Sequence, residues 1–246
     1  MLQMINSKRP QKFQVRLMRQ SVDFLGRHSL IRQLFFAVGF FTVRFLFPLQ
    51  YLLLRELMDC KSVLDLGCGH HSMVPIIPTY IETTGVELFE PYFKEAVQKK
   101  RHKAYIQADV MKVNFHDKSF DAVVLLDVVE HLSKEEGLTL IKRMERWAKK
   151  KVIVFTPNGF LHQDCYDDNP YMKHKSGWTY EEFKNLGFKV RGVRGFKFLK
   201  RDDHHHEEIG GSSFLETLGD LTQIISYHVP KSAFQLFCVK NLSGEK

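Results

Sequence analysis

From Lys61 onward the chain alternates short apolar runs with amphipathic stretches, and this alternation limits its fold more than any other feature. SVLDL (62–66), TGVEL (84–88), AYIQAD (104–109), FDAVVLLD (120–127) and KVIVFT (151–156) read as strands. The fourth is apolar enough to be a central strand covered on both faces. PYFKEAVQKK carries Pro91 near a first helical turn. Residues 134–150 repeat Leu138, Ile141, Met144, Trp147 and Ala148 at a helical period. After a long polar loop, TYEEFKNLG (179–187) reads as a helix stopped by Gly187. FKVRGVRGF and SAFQLFCVK read as closing strands around a mixed insertion, 200–230. The pattern predicts a parallel α/β sheet over 59–246.

Residues 1–58 read as a separate helical segment. Leu30 to Leu54 is the most apolar part of the chain. A membrane span needs roughly 20 apolar residues in a row, and Arg32, Arg44 and Arg55 cut this run into pieces of about ten. Pro48 interrupts it further. Two roles suit such a segment: a helical cap on the following domain, with Phe35–Phe47 lining an apolar pocket, or an interfacial helix pair on a membrane. The formal charge of +8 is concentrated here, because nine Lys and Arg face only Asp23, Glu56 and Asp59 in the first sixty residues. An apolar content of 44% excludes global disorder. Four cysteines without a CxxC pair suit reduced thiols in the cytoplasm. MLQMINSKRPQKFQ lacks the apolar core of a secretory leader.

The strongest local signal is VLDLGCGHH. A buried strand ending in D-x-G-x-G lets the backbone turn sharply and lets a ligand approach the main chain. Open α/β sheets bind ligands beyond the carboxyl ends of their strands. Carboxylates stand at the matching ends: Glu87 after the second strand, able to accept two ribose hydroxyls, Asp109 after the third, able to accept a base amine, and Asp127 after the fourth.

The order VLDLGCG, GVEL, QAD, FDAVVLLDVVEHL and VIVFTPN resembles the class I S-adenosylmethionine-dependent methyltransferases of the type 11 kind, over about residues 60–160. The resemblance implies a doubly wound, Rossmann-like sheet of seven strands, mostly parallel, with a reversed final hairpin and a helical N-terminal cap. It implies S-adenosylmethionine as the donor, with Asp65, Gly67 and Gly69 around its methionine part, Glu87 on the ribose, Asp109 near the adenine, Cys68, Leu88 and Val110 as further donor-binding residues, and Asp127 at the methyl-transfer rim. His71 stands where many members carry a third glycine. SMVPIIPTY carries two prolines, so the helix there should be short or broken. The loop lacks the G-x-G-x-x-G continuation of dinucleotide enzymes.

Asp127, Glu130 and His131 are the catalytic candidates, at i, i+3 and i+4 after the fourth strand. The Asn/Asp-Pro-Pro-aromatic loop of nucleobase N-methylases is absent there, and Asn169-Pro170-Tyr171 follows the fifth strand, so it is set aside. D-V-V-E-H-L is similar to the E-x-x-E-H stretch of small-RNA 2′-O-methyltransferases and ubiquinone-pathway O-methyltransferases. K-H-K-S-G-W-T resembles the D-H-x-F-E-W-T segment of the RNA group, which implies a Mg²⁺ or Mn²⁺ site on Asp127, Glu130, His131 and His174. Two other readings remain: a metal-free catalytic or substrate-contacting role for His131, and a loop-holding role for the acid and histidine. His204, His205 and His206 read as a solvated loop, and Thr156-Pro157-Asn158 as either an acceptor border or a loop shaper.

The expected activity is O-methylation of a small or lipid-like acceptor. An RNA 2′-O-methyltransferase-like enzyme is the alternative, disfavoured by the lack of an RNA-binding module. A non-catalytic donor-binding scaffold is the third reading.

Overall fold

A computed structural model describes residues 48–70, 72–74, 77–165, 167–199 and 221–242. The expectations for 1–47, for His71, for the phenylalanines of 35–47 and for His204–His206 fall outside the described residues.

Seven strands form one sheet in the order β3-β2-β1-β4-β5-β7-β6. They are β1 (Ser62–Leu66), β2 (Glu82–Glu87), β3 (Ala104–Gln107), β4 (Phe120–Leu126), β5 (Ala148–Pro157), β6 (Lys189–Phe196) and β7 (Ala233–Asn241). Pairs from β3 through β5 are parallel, and β7 runs antiparallel to both β5 and β6. Only β7 is reversed, which is the expected closing hairpin. Five α-helices are described: α1 (Pro48–Leu57), α2 (Glu90–Gln98), α3 (Lys134–Trp147), α4 (Tyr180–Asn185) and α5 (Gln223–His228).

Successive residues of a strand point to opposite faces, and here both faces are covered. Leu64, Val123, Leu125, Val152 and Val154 pack with Leu140, Met144 and Trp147 of α3 and Phe183 of α4. Val63, Ala122, Val124, Ile153 and Phe155 pack with Tyr51, Leu52, Leu53 and Leu57 of α1 and with Tyr227 of α5. Each Val, Leu, Ile, Phe or Met among them contributes about 1.5–3 kcal/mol by leaving water. Residues 48–57 therefore cover one face of the sheet. Among the described residues no helix is long and apolar enough to cross a membrane.

Element ends differ from the expectations for local reasons. α3 stops at Trp147, because Ala148 turns extended and pairs with Phe120. The serine and threonine that open α3 and α4 form reciprocal caps, Ser133 with Glu136 and Thr179 with Glu182. No α-helix lies among the described residues between β1 and β2, as the two prolines there predict. Of the insertion, only 221–230 is described, and it contains α5.

The chain runs from β1 outward to β2 and β3, then returns to β4 and β5 on the other side. That reversal opens a crevice at the carboxyl ends of β1 and β4.

Candidate active site

A cavity of about 460 Å³ occupies that crevice. Asp65, Gly67, Cys68, Gly69, Glu87, Leu88, Asp109, Val110, Asp127 and His131 all line it. Glu130 and His174 do not; both are buried behind its wall.

The loop after β1 is shaped by two glycines with positive φ, +69° at Gly67 and +53° at Gly69. A β-carbon on Gly67 would stand 2.6 Å from Val128 Cγ2, whereas one on Gly69 would meet nothing within 4 Å. The first glycine lets the β1 and β4 loops touch; the second leaves open space beside the backbone where a ligand can lie. Asp65, buried beneath the loop, accepts from Ser72 Oγ at 2.6 Å. His102 Nε2 lies 3.3 Å from the same carboxylate oxygen.

Glu87 is held by the main chain. Its Oε2 accepts the Gly69 N–H at 2.9 Å and its Oε1 accepts the Phe89 N–H at 2.8 Å. Each carboxylate oxygen keeps a second acceptor site, so the group can still take two hydroxyls. Burial raises the Glu87 carboxyl and these amides pull it back, leaving a net upward shift. Asp109 lies two residues past β3 and accepts the Met111 N–H at 2.8 Å. Cys68 is an inert thiol: burial, then the charges of Asp65 and Glu87, push it well up.

Asp127 sits just past β4 with φ +51°, a conformation that aspartate tolerates better than most residues. Its N–H donates to Phe155 O at 2.9 Å, and its Oδ1 accepts from Gln235 Nε2 at 3.2 Å. Enclosure by protein raises its carboxyl while the charge of Arg194 opposes the rise. The side chain still meets the open cavity, and water there also works against that rise. Glu130 is shifted well upward, by burial first and by the Asp127 charge second. Its Oε2 accepts from Thr156 Oγ1 at 3.0 Å.

Glu130, His131 and His174 converge: one ligand atom from each lies within 4.8 Å of the others. Asp127 is not in that group, so the expected four-residue set is reduced to three. The left-handed turn at Asp127 and its bond to Gln235 hold its carboxylate apart from them. The two imidazole rings stand 4.8 Å apart. His174 Nδ1 faces Leu161 O at 2.7 Å and His131 Nδ1 faces Lys173 O at 3.3 Å. A carbonyl partner fixes the proton on Nδ1 and leaves the lone pair on Nε2. Burial, then the neighbouring His174, holds His131 down to about 4, so it is neutral at physiological pH.

Trp178 and Thr179 of K-H-K-S-G-W-T are structural. Trp178 is buried against Gly137, where a β-carbon would stand 2.5 Å from its ring, and its Nε1 donates to Ser176 Oγ at 3.0 Å. Thr179 caps α4.

Several residues escaped the sequence reading. Asn169, Tyr171, Met172 and Lys175 line the cavity. The loop after β5 folds back over it, and the Lys175 and Ser176 N–H groups donate to Glu130 O at 2.8 and 3.0 Å. Asn169-Pro170-Tyr171, set aside as a motif, is thus part of the wall. Ser72, His102 and Gln235 support the two aspartates from distant positions, and nothing in their local sequence marks them.

Residues 64–156 match the family model described as a methyltransferase domain. Over those residues the chain carries a methyltransferase domain. The chain is 26% identical over 151 residues to an uncharacterized protein of Methanocaldococcus jannaschii, covering 60% of this chain and 64% of that protein. The chain therefore spans less than two thirds of that relative's length. Its fold is similar to a putative methyltransferase from Bacillus halodurans, with a TM-score of 0.51 at 15% identity, over 80% of this chain and all of that one. A S-adenosylmethionine-dependent methyltransferase from Archaeoglobus fulgidus aligns with a TM-score of 0.47 at 18% identity, over 83% and 99% of the two chains.

Proposed function

We propose that this methyltransferase moves the methyl group of S-adenosylmethionine to an oxygen of a small, apolar acceptor. The reading is carried by one cavity in which Gly69, Glu87 and Asp109 share a wall with Asp127 and His131. The bound donor supplies a sulfonium methyl carbon, whose bond to sulfur breaks with its electron pair going to sulfur. The open side of Gly69 and the two oriented oxygens of Glu87 suit the amino-acid and ribose parts of that donor.

The protein's work is then alignment and proton management. His131 is neutral and faces the cavity, so its Nε2 can take the acceptor's hydroxyl proton. A group held near 4 is a weak base for an alcohol, and this favours either an acidic hydroxyl or help from a cation. In the cation alternative Glu130, His131 and His174 would hold the ion, His131 through the Nε2 that otherwise acts as base: two imidazoles with Nδ1 on carbonyls, and one carboxylate that accepts from Thr156. Such a cation, Mg²⁺ or Mn²⁺, would lower the hydroxyl's pKa. Leu49, Met73, Leu132, Tyr171 and Met172 supply an adaptable apolar wall for the acceptor body.

A second reading, methylation of an RNA 2′-hydroxyl, is favoured by the same convergence of Glu130, His131 and His174. The test is incubation with donor labelled on its methyl group and, separately, lipid-soluble extract or RNA. Label in the organic phase supports the proposal. Label in RNA alone selects the second reading, and no label in either pool, with donor binding intact, contradicts both.

A further inference from the structure

A second cavity, of about 300 Å³, lies where the carboxyl end of α1 meets the start of β6. Arg55 and Glu56 of α1, Lys189 and Arg191 of β6, and Phe237 and Val239 of β7 line it. Lys189 pairs with Val239 and Arg191 with Phe237. β6 runs parallel to β5, since both are antiparallel to β7, so its first residues lie at the amino ends of the parallel strands. The methyl-transfer crevice is at the other end. Residues two apart in a strand share a face, which puts Lys189 and Arg191 side by side on the edge strand. Val193, next in that row, packs on the face that α1 covers.

The acid of the lining, Glu56, is already paired. Its Oε1 accepts from Arg55 Nε at 3.1 Å and Nη2 at 2.7 Å, and its Oε2 lies 3.7 Å from Lys151 Nζ. Lys151 also donates to Glu56 O at 2.7 Å and to Asp59 Oδ1 at 3.2 Å, which offsets the negative end of α1. Lys150 and Asp121, beyond them, pair with each other. Among the described residues these acids are therefore matched by Arg55, Lys150 and Lys151, and none is paired with Lys189 or Arg191. Arg191 Nη1 donates to Val190 O at 3.4 Å, and its Nε makes no hydrogen bond within the chain. A guanidinium offers five N–H donors, so Arg191 keeps some for a further acceptor. The Tyr227 hydroxyl reports the local excess of positive charge. Burial would raise it, but the bonds from Arg55 and Arg191 outweigh burial and the net shift is downward.

We propose that this second cavity binds a small organic phosphate monoester, its phosphoryl group between Lys189 and Arg191 and its organic part on Phe237 and Val239. Two neighbouring cations without acid partners call for a dianion, and a carboxylate supplies only one charge. The guanidinium fork matches two phosphoryl oxygens, and the lysine adds a point charge beside it. The buried Phe237 and Val239 give the floor an apolar character that a bare inorganic ion would not use. A volume of about 300 Å³ is at the lower end of small-ligand sites. The site stands apart from the donor and acceptor cavity, and the proposal is independent of which acceptor is methylated.

The test is calorimetric titration of the full chain with phenyl phosphate and, separately, inorganic phosphate, for wild type, Lys189→Gln, Arg191→Gln and Lys175→Gln. Thermal melting checks that each variant is folded, and Lys189→Gln, at an exposed position, keeps the test open if Arg191→Gln is not. Wild type should bind phenyl phosphate at one site, with inorganic phosphate about tenfold weaker. Lys189→Gln and Arg191→Gln should each weaken phenyl phosphate by about tenfold or more. Lys175→Gln, which removes a cation of the methyl-transfer cavity, should bind like wild type. No binding by wild type, or equal affinity in wild type and the two β6 variants, would overturn the proposal. So would loss of binding in Lys175→Gln, which places the phosphate in the methyl-transfer cavity, or inorganic phosphate binding as tightly as the monoester.

Discussion

Gly67 and Val128 stand so close that a β-carbon on the glycine would lie 2.6 Å from a Val128 methyl. The contact ties the loop that follows β1 to the loop that follows β4, across the mouth of the cavity. Gly67→Ala meets two separate penalties. Overpacking costs about 1–3 kcal/mol, and the left-handed backbone adds roughly 1–2 kcal/mol for any residue with a β-carbon. Gly67→Ala should lower the unfolding free energy by about 2–5 kcal/mol in denaturant titrations. Adding Val128→Ala should return only the packing part, since the backbone penalty stays.

His102 is buried beneath the glycine loop, 3.3 Å from Asp65, and neither ring nitrogen makes a hydrogen bond within the chain. Its ring also fills the space beside Gly85, where a β-carbon would stand 2.5 Å from it. His102→Leu keeps an apolar filling but removes the polar neighbour of Asp65. Calorimetry should show donor affinity falling by about tenfold, close to 1.4 kcal/mol. Unchanged affinity would confine His102 to packing.

The start of β4 supplies a pH signature away from the site. Asp121 Oδ2 accepts the Lys61 N–H at 2.6 Å and faces Lys150 Nζ at 3.4 Å. Burial alone would raise its carboxyl, yet the amide and the lysine outweigh burial and the net shift is downward. A depressed carboxyl stabilises the fold above its ordinary value and loses that contribution as pH falls through the folded one. Wild type should therefore lose stability below about pH 4, and Asp121→Asn should lose less over the same window. At neutral pH the variant should be about 1–2 kcal/mol less stable. Melting curves at several pH values check both signs.

Metal binding separates the three-residue cluster from a structural arrangement. Mn²⁺ titrated into wild type should bind with a one-site isotherm, and His174→Ala should weaken it by about tenfold or more. Asp127→Asn should leave it almost unchanged, because its carboxylate stands outside the cluster. Equal weak binding by wild type and His174→Ala would remove the cation from the account.

The sheet was legible because strand and helix periods differ and because buried parallel strands are nearly uniform in composition. FDAVVLLD and KVIVFT had no competing reading. Glu87 and Asp109 were legible for a related reason: each ends an apolar run, so its position at the sheet's edge follows from the strand itself. The acceptor side was not. Asn169, Tyr171, Met172 and Lys175 lie in a loop without period, and their approach to the cavity depends on backbone bonds from Lys175 and Ser176 to Glu130. Asp127 misled for a local reason: helical spacing put it beside Glu130 and His131, but the residue adopts a positive φ. The burial of Gln223 could not be read either, since it rests on bonds to the backbone of a strand about thirty residues earlier.

The central claim is that the crevice between β1 and β4 holds S-adenosylmethionine through Glu87 and the glycine loop. Isothermal calorimetry with the donor tests it most directly, comparing wild type with Glu87→Gln and Glu87→Ala. Saturable one-site binding by wild type is predicted, about tenfold or more weaker in Glu87→Ala, which loses a charged hydrogen-bonding partner worth about 1.5–3 kcal/mol. Glu87→Gln should fall between them. No binding heat at about millimolar donor, or equal affinity in all three proteins, would contradict the account.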